Sequence, residues 1–155
     1  MATQTGRTVS KHVTFKCDDS GGTLRTVTGV KSINGVGLNY DEIDVTAFAD
    51  ALKNFLPGHA DFSMDVTGEL DSTADTGFHI VFSGVVGVAT PLSFDTQFGM
   101  RHAWESGEPQ FGMTSSATSG VICTAYTVSP DATEATATLR VMGGTAPAWG
   151  TTAET

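Results

Sequence analysis

The feature that most constrains the fold of this chain is a strict alternation of residue types from Asp61 to Leu70. One set of alternate positions is apolar or small: Phe62, Met64, Val66, Gly68 and Leu70. The other set is polar: Asp61, Ser63, Asp65, Thr67 and Glu69. A period of two is that of a β-strand with one buried and one solvated face. The sequence therefore predicts a half-buried strand here.

The segment before this strand has a different period. Its apolar residues recur at helical spacing: Val45, Phe48, Ala49, Leu52, Phe55 and Leu56. This pattern predicts an amphipathic helix over residues 45–56 that packs Phe48, Leu52, Phe55 and Leu56 against the core. Pro57-Gly58 would end the helix, and either Asp44 or Thr46 would cap its start.

Six more segments have strand-like patterns: residues 9–17, 24–33, 36–45, 91–98, 120–129 and 133–142. Asn34-Gly35, or a pair shifted by one residue, predicts a tight hairpin between the second and third of these segments. The apolar run 77–86 is too short to distinguish a strand from a short helix. Residues 99–119 contain several glycines and prolines and are predicted to form a long loop.

The composition agrees with a β-rich domain. The chain has 155 residues, 39% of them hydrophobic and 16% charged, so its polar surface is supplied largely by Thr, Ser, Asn and Gly, which suit sheets with many turns. We predict an all-β fold, a β-sandwich or partial barrel with one flanking α-helix. A single domain over residues 9–143 would lie between a flexible arm (1–8) and a C-terminal tail (144–155).

The net charge of −9 disfavours nucleic-acid binding, which depends on Lys and Arg. The first residues do not resemble a secretion signal and no apolar run reaches membrane-spanning length, so synthesis in the cytoplasm and no membrane partner are expected. In that setting Cys17 and Cys123 are predicted to be buried free thiols rather than a disulfide.

The sequence offers little for catalysis. The four histidines lack metal-ligand spacing, and no nucleophile elbow, phosphate loop or dinucleotide fingerprint occurs. We therefore expect a protein that is not an enzyme and uses no cofactor or metal.

The carboxylates of Asp61, Asp65 and Glu69 share one strand face. Successive members are roughly 13 Å apart along a strand, too far to share one cation. They form an acidic stripe, which is either a solvated sheet face or a surface that repels a polyanion.

Several elements together resemble the major tail tube proteins of long-tailed, siphovirus-type bacteriophages. The resemblance rests on a set of scaffold residues: Asp44, Val45, Thr46, Asp50, Phe55, Pro57, Gly58, Asp61 and Gly68. The runs Gly120–Tyr126 and Ala135–Gly144 also resemble strands of that family. Together they extend over most of residues 30–144.

The resemblance implies a structural virion protein of the phage tail, assembled in the bacterial cytoplasm. Subunits of this family form hexameric rings, lend strands to one inner barrel and stack into the tube through which DNA is ejected. It implies self-association, together with tape measure, terminator and initiator proteins as partners. Six copies would carry roughly fifty negative charges, and Asp61, Asp65 and Glu69 could line the lumen, so that DNA passes without specific binding.

The sequence pattern also fits other classes of protein. A capsid decoration or head–tail connector protein could use the same kind of sandwich, as could the tube protein of a contractile secretion system. A carbohydrate-binding sandwich needs grouped exposed aromatic residues, and beyond its phenylalanines the chain has two Trp and two Tyr.

Overall fold

The computed structural model describes residues 6–131 and 133–155. Within them the chain forms a 3-10 turn at Ser10–His12, one α-helix and eleven strands. The strands are β1 Val13–Asp18, β2 Leu24–Thr26, β3 Val30–Asn34, β4 Asn39–Asp44, β5 Phe55–Asp61, β6 Ser63–Glu69, β7 Phe94–Phe98, β8 Gln110–Met113, β9 Gly120–Ser129, β10 Glu134–Met142 and β11 Ala148–Gly150. The helix α1 spans Phe78–Val85.

Two antiparallel sheets form the sandwich. The five-stranded sheet has the order β11-β8-β7-β1-β2, and the four-stranded sheet has the order β3-β6-β10-β9. The sheets do not close into a barrel, and β4 and β5 form a separate two-stranded hairpin. The prediction of a mostly-β fold with one helix is therefore confirmed.

The core lies between the two sheets. Alternate residues of β6 and β10 face Phe94 and Phe111 of the other sheet, and Phe62 stacks on Phe94 with ring centroids 5.5 Å apart. The predicted alternation from Asp61 to Leu70 is confirmed over β6, where Met64 and Val66 are fully buried. At its end the pattern fails, because Leu70 is exposed.

The helix lies in a different place from the one predicted. The ambiguous run at 77–86 forms α1, which buries Phe78, Val81, Phe82 and Val85 and contacts β6, β9 and β10. Phe82 packs on Phe15 of β1, so α1 belongs to the core.

The helix predicted over residues 45–56 is wrong. Asp44 ends β4, Phe55 begins β5, and a turn-rich loop joins the two strands. The four side chains assigned to a buried helix face are exposed: Phe48, Leu52, Phe55 and Leu56. The apolar residues do recur at helical spacing in the sequence. In the described chain, however, their side chains are exposed and do not belong to the core.

Three further predictions need correction. The hairpin at Asn34-Gly35 is wrong, because β3 pairs with β6 and β4 pairs with β5. The predicted loop 99–119 contains β8. The tail 144–155 contains β11, which pairs with β8 and lies against the sandwich. Of the predicted arm 1–8, residues 1–5 lie outside the described residues.

Candidate assembly surfaces

The β4–β5 hairpin is the most exposed element of the protein. Every residue of β4 is exposed, and every residue of β5 is exposed except Gly58, which is half-buried. Large apolar side chains lie along it, with exposed fractions of 55% for Tyr40, 49% for Ile43 and 54% for Leu56. An isolated two-stranded hairpin is only marginally stable in water. Because this hairpin also exposes large apolar side chains, it is a candidate interface with another chain.

Pro57 and Gly58 occur within β5 rather than at a helix end. The pairing of β4 with β5 shifts register between Tyr40 and Glu42, and Pro57 pairs at this irregularity, where a strand tolerates proline. Gly58 leaves room for the neighbouring strand, since a Cβ there would lie 3.1 Å from Ile43 Cδ1. These two residues shape the hairpin.

Residues 45–54 form the hairpin tip, which is held by hydrogen bonds of its own. Asp44 Oδ1 accepts a hydrogen bond from the Thr46 amide at 2.9 Å, and Thr46 Oγ1 accepts one from the Asn54 amide at 2.8 Å. Asp50 Oδ2 accepts one from the Ala47 amide at 2.8 Å. Hydrogen bonds from Thr46 lower the pKa of the Asp44 carboxyl. Asp44 therefore caps a turn, whereas the sequence predicted that Asp44 or Thr46 would cap a helix.

The tip presents its largest apolar side chains to solvent. Phe48 is 113% exposed and Leu52 is 83% exposed relative to a free residue, so both project clear of their own chain. A loop that is hydrogen-bonded within itself and exposes two large apolar side chains is suited to contact with a partner.

The three carboxylates of the predicted acidic stripe are exposed, but they do not share one strand: Asp61 ends β5, whereas Asp65 and Glu69 lie on β6 of the four-stranded sheet. The stripe is also not bare. Arg140 Nη2 donates to Asp61 Oδ1 at 3.0 Å, and Thr138 Oγ1 donates to Asp65 Oδ1 at 2.7 Å. Lys31 lies 3.7 Å from Glu69 and 3.0 Å from Glu134. These residues comprise four carboxylates and two cations, so the net charge of the face is −2. The stripe is therefore interrupted by positive charge.

Gly68 has a packing role. A Cβ at this position would lie 2.7 Å from Phe78 Cδ2 and 2.7 Å from the Gly29 carbonyl oxygen. Glycine at position 68 therefore lets α1 and the connection between β2 and β3 approach β6 closely.

Other polar groups serve the structure. Cys17 and Cys123 are buried free thiols, as predicted. Burial raises the pKa of both, that of Cys123 to about 11, which keeps the thiols protonated and unreactive. Glu108 is fully buried and accepts hydrogen bonds from the Met100 and Glu105 amides at 3.2 Å, which organises the loop before β8.

The described residues contain neither a metal-ligand cluster nor a membrane-spanning helix. Among residues 6–131 and 133–155, no three His, Cys, Asp or Glu side chains are placed to hold a metal ion. Over the same residues, no helix is long and apolar enough to cross a membrane.

Sequence reasoning missed the hairpin because it assumed that periodic apolar residues are buried within their own chain. The available signal was Asp44, Thr46 and Asp50, whose short polar side chains favour turns over helix interiors. It also missed Lys31 and Arg140 as partners of the stripe, since they come from β3 and β10.

The same architecture occurs in chains of three solved assemblies. One is the tail of an empty GTA particle refined with C6 symmetry, with 20% identity and a TM-score of 0.55 over 93% of this chain and 99% of that one. Another is the tube-terminating cap of an anti-feeding prophage, with 13% identity and a TM-score of 0.58 over 98% and 95%.

The third is the extended sheath–tube complex of PVC, an extracellular contractile injection system, with 12% identity and a TM-score of 0.54 over 94% and 93%. At these identities the likeness establishes a shared fold. No protein-family model matches the sequence, and a search of curated proteins gives no significant match.

Proposed function

We propose that this protein is a structural subunit of a phage-type tail tube. Six copies form a ring, rings stack into a tube, and the tube is the conduit through which DNA leaves the virion. The exposed apolar hairpin carries the proposal, and the shared fold with chains of a tail, a tube cap and a sheath–tube complex supports it.

The hairpin needs a partner on energetic grounds. Full burial of a side chain such as Phe48 or Leu52 is worth about 1.5–3 kcal/mol. Tyr40, Ile43 and Leu56 add apolar area along the stem. Self-association would bury all of this surface, and a virion component made in many copies provides the partners.

A ring also offers partners for the ends of the four-stranded sheet. β3 and β9 are its outer strands. The start of β9 is already paired, because Val121 and Cys123 form backbone bridges with Leu92 and Val86, so the edge of β9 that is open to another strand lies beyond Cys123. Pairing of β3 in one copy with β9 in the next would join the sheets around a ring and remove exposed edges. The polar face with Asp61, Asp65 and Glu69 would then line the lumen.

The charge of this face suits a DNA conduit. A net charge of −2 per copy gives no counterion-release gain for DNA contact, so DNA would pass without adhering. The ion pairs of Arg140 and Lys31 anchor the two cations on the face. The tape measure, terminator and initiator proteins of a siphovirus-type tail are the further partners in this proposal, the virion tail is the location, and assembly takes place in the host cytoplasm.

Negative-stain microscopy and light scattering of the purified protein test the proposal. We expect rings or hollow tubes from the natural chain, and folded monomers from Phe48→Ser/Leu52→Ser. Ile80→Ser/Val88→Ser, which also removes two exposed apolar side chains but outside the hairpin, should still assemble. Isolated trimers or monomers of the natural chain would favour a capsid decoration or head–tail connector protein, and normal tubes from the hairpin variant would overturn the assignment of the hairpin.

A further inference from the structure

Residues 151–155, the C-terminal strap, lie across the five-stranded sheet on the face turned away from the core. The strap follows β11, which pairs with β8 at the sheet edge. It then crosses β8 and reaches β7, where the Glu154 amide donates to Asp95 Oδ2 at 3.2 Å. Gly112 of β8 leaves room for this crossing, because a Cβ there would lie 3.0 Å from Glu154 Cγ. The strap therefore has a defined seat on the sheet.

The seat of the strap is polar. Its side chains directly neighbour or follow core positions such as Phe94 and Phe111 along β7 and β8, so they point to the opposite face of the sheet. Three polar side chains in it are at most 4% exposed: Asp95, Gln97 and Gln110. In the strap itself Glu154 is half-buried and the other residues are exposed. Burial of apolar surface therefore contributes little to holding the strap in place.

A few hydrogen bonds attach the strap. Thr114 Oγ1 donates to Glu154 Oε2 at 2.6 Å and accepts from the Thr155 amide at 3.1 Å, and Gln110 Nε2 donates to Glu154 Oε1 at 3.2 Å. Beneath the strap two buried acceptors, Asp95 Oδ1 and Gln110 Oε1, have no hydrogen-bond partner among the described residues. Water reaches both acceptors when the strap lifts, which favours local opening of this segment.

The charges at the seat make the attachment sensitive to pH. Asp95 faces Glu154 of the strap and is paired across the sheet with Lys16 of β1, while β8 (Gln110–Met113) adds no charged side chain. Burial raises the pKa of the Asp95 carboxyl. Hydrogen bonds from the Glu154 amide and Gln97 offset part of the rise, the Glu154 charge adds to it and Lys16 opposes it.

Proton binding at Asp95 is therefore linked to the position of the strap. When the strap lifts, the Asp95 carboxyl meets water and its pKa returns towards the ordinary value of an aspartate. The covered form binds the proton more tightly than the open form. The resulting stabilisation of the covered form is complete below the ordinary pKa and is lost as the pH rises through the raised value.

We propose that the C-terminal strap is a local switch, which covers Asp95 while this carboxyl is protonated and shifts towards an open form when the carboxyl ionises. The sandwich stays folded in both forms. Opening uncovers a band of hydrogen-bonding side chains on the outer face of the five-stranded sheet: Asp95, Gln97 and Gln110. The switch operates within one chain and does not depend on the proposed tube.

Hydrogen exchange measured by mass spectrometry tests the switch in the natural chain. The readout is the protection of the Glu154 and Thr155 amides, normalised to the intrinsic exchange rate at each pH, under conditions in which light scattering gives one particle size throughout. We expect this protection to fall several-fold between pH 5 and pH 8, while the amides of β6 and β10 stay protected. Constant protection of the strap, or a parallel loss in β6 and β10, would overturn the inference.

Asp95→Asn supplies the matched variant, because asparagine keeps an acceptor oxygen and cannot ionise. At pH 8 its strap should be several-fold more protected than that of the natural chain, and its protection should no longer depend on pH. Asp131→Asn, which removes a carboxylate from an exposed turn, should follow the natural chain. Circular dichroism checks that both variants fold. An unchanged pH dependence in folded Asp95→Asn would show that another group controls the strap and would contradict the proposal.

Discussion

At the scale of single residues, Gly68 shows why a scaffold position is restricted. Its Cα faces the ring of Phe78, and a methyl group there would overlap both that ring and the Gly29 carbonyl. Gly68→Ala should lower the free energy of unfolding by about 1–3 kcal/mol, as overpacking does elsewhere. Gly144→Ala is the control, because a Cβ at Gly144 meets no atom within 4 Å. Chemical denaturation measures both, and equal stability of the two variants would refute the packing argument.

Asp95 is a residue whose charge opposes folding. It is fully buried on β7, where its Oδ2 accepts hydrogen bonds from Gln97 Nε2 at 2.8 Å and the Glu154 amide at 3.2 Å. Burial raises the pKa of the Asp95 carboxyl, and these hydrogen bonds offset the rise in part. The folded state therefore binds this proton more tightly than the unfolded state. The resulting stabilisation is complete below the ordinary pKa of an aspartate and is lost as the pH rises through the raised value.

Asp95→Asn tests this pH dependence, since asparagine keeps an acceptor and carries no charge. At pH 8, we expect the free energy of unfolding of the variant to be higher than that of the natural chain, with a difference on the order of 1 kcal/mol. The difference should shrink towards acid pH. Thermal denaturation across the pH range measures it, with Asp131→Asn in an exposed turn as the control. A variant that is less stable at every pH would show that the carboxylate itself is needed.

At the scale of elements, the local residue pattern predicted the strands that bury one face against the core and expose the other. β6, β9 and β10 were predicted from the sequence because the pattern of apolar and polar residues is visible within each strand. It can be recognised without knowing which strands are its neighbours. The helix predicted over residues 45–56 was wrong because strand pairing and turn hydrogen bonds decide the backbone there. Phe48, Leu52 and Phe55 are spaced as a helix would space them, but the pairing of β4 with β5 and the turn made by Asp44 and Asp50 determine the backbone.

The same limit applies to the candidate site. The alternation of residue types was enough to predict that the acidic stripe is exposed. The position of the cations beside it could not be predicted, because it depends on which strands lie next to β6. The strands β8 and β11 escaped notice because each is short and is stabilised by a partner distant in sequence. Short strands of this kind carry too few residues for a periodic signal.

The hairpin tip gives a prediction at this scale. Asp44→Ala/Asp50→Ala removes the side-chain acceptors for the Thr46 and Ala47 amides, so the tip should lose its preorganised shape while the sandwich stays intact. We expect assembly to require a several-fold higher protein concentration, measured by light scattering, with an unchanged denaturation midpoint. Asp41→Ala/Glu42→Ala removes the same charge from the stem and leaves these hydrogen bonds in place. If both pairs act equally, charge rather than tip geometry governs assembly.

At the scale of the whole molecule, the surfaces divide by role. The five-stranded sheet is partly covered by the C-terminal segment, where Gln110 Nε2 donates to the Thr152 carbonyl and Thr114 Oγ1 to Glu154 Oε2. The four-stranded sheet leaves its polar face open, and the hairpin projects an apolar surface. In the proposed tube, the polar face would line the lumen and the hairpin would make the contacts between copies.

The lumen assignment can be tested by reversing its charge. Asp65→Lys/Glu69→Lys changes the polar face from −2 to about +2 per copy, which gives six such faces in a ring enough positive charge to release counterions from DNA. Tubes should still form, because both side chains are exposed and lie outside the hairpin. DNA should then bind with an affinity that falls steeply with salt concentration, measured by electrophoretic mobility and by protection of DNA from nuclease inside the tube. Asp75→Lys/Asp131→Lys makes the same charge change in exposed loops, and it should leave DNA sensitive to nuclease. Protection by the loop variant but not by the sheet variant would place the polar face on the outside of the tube.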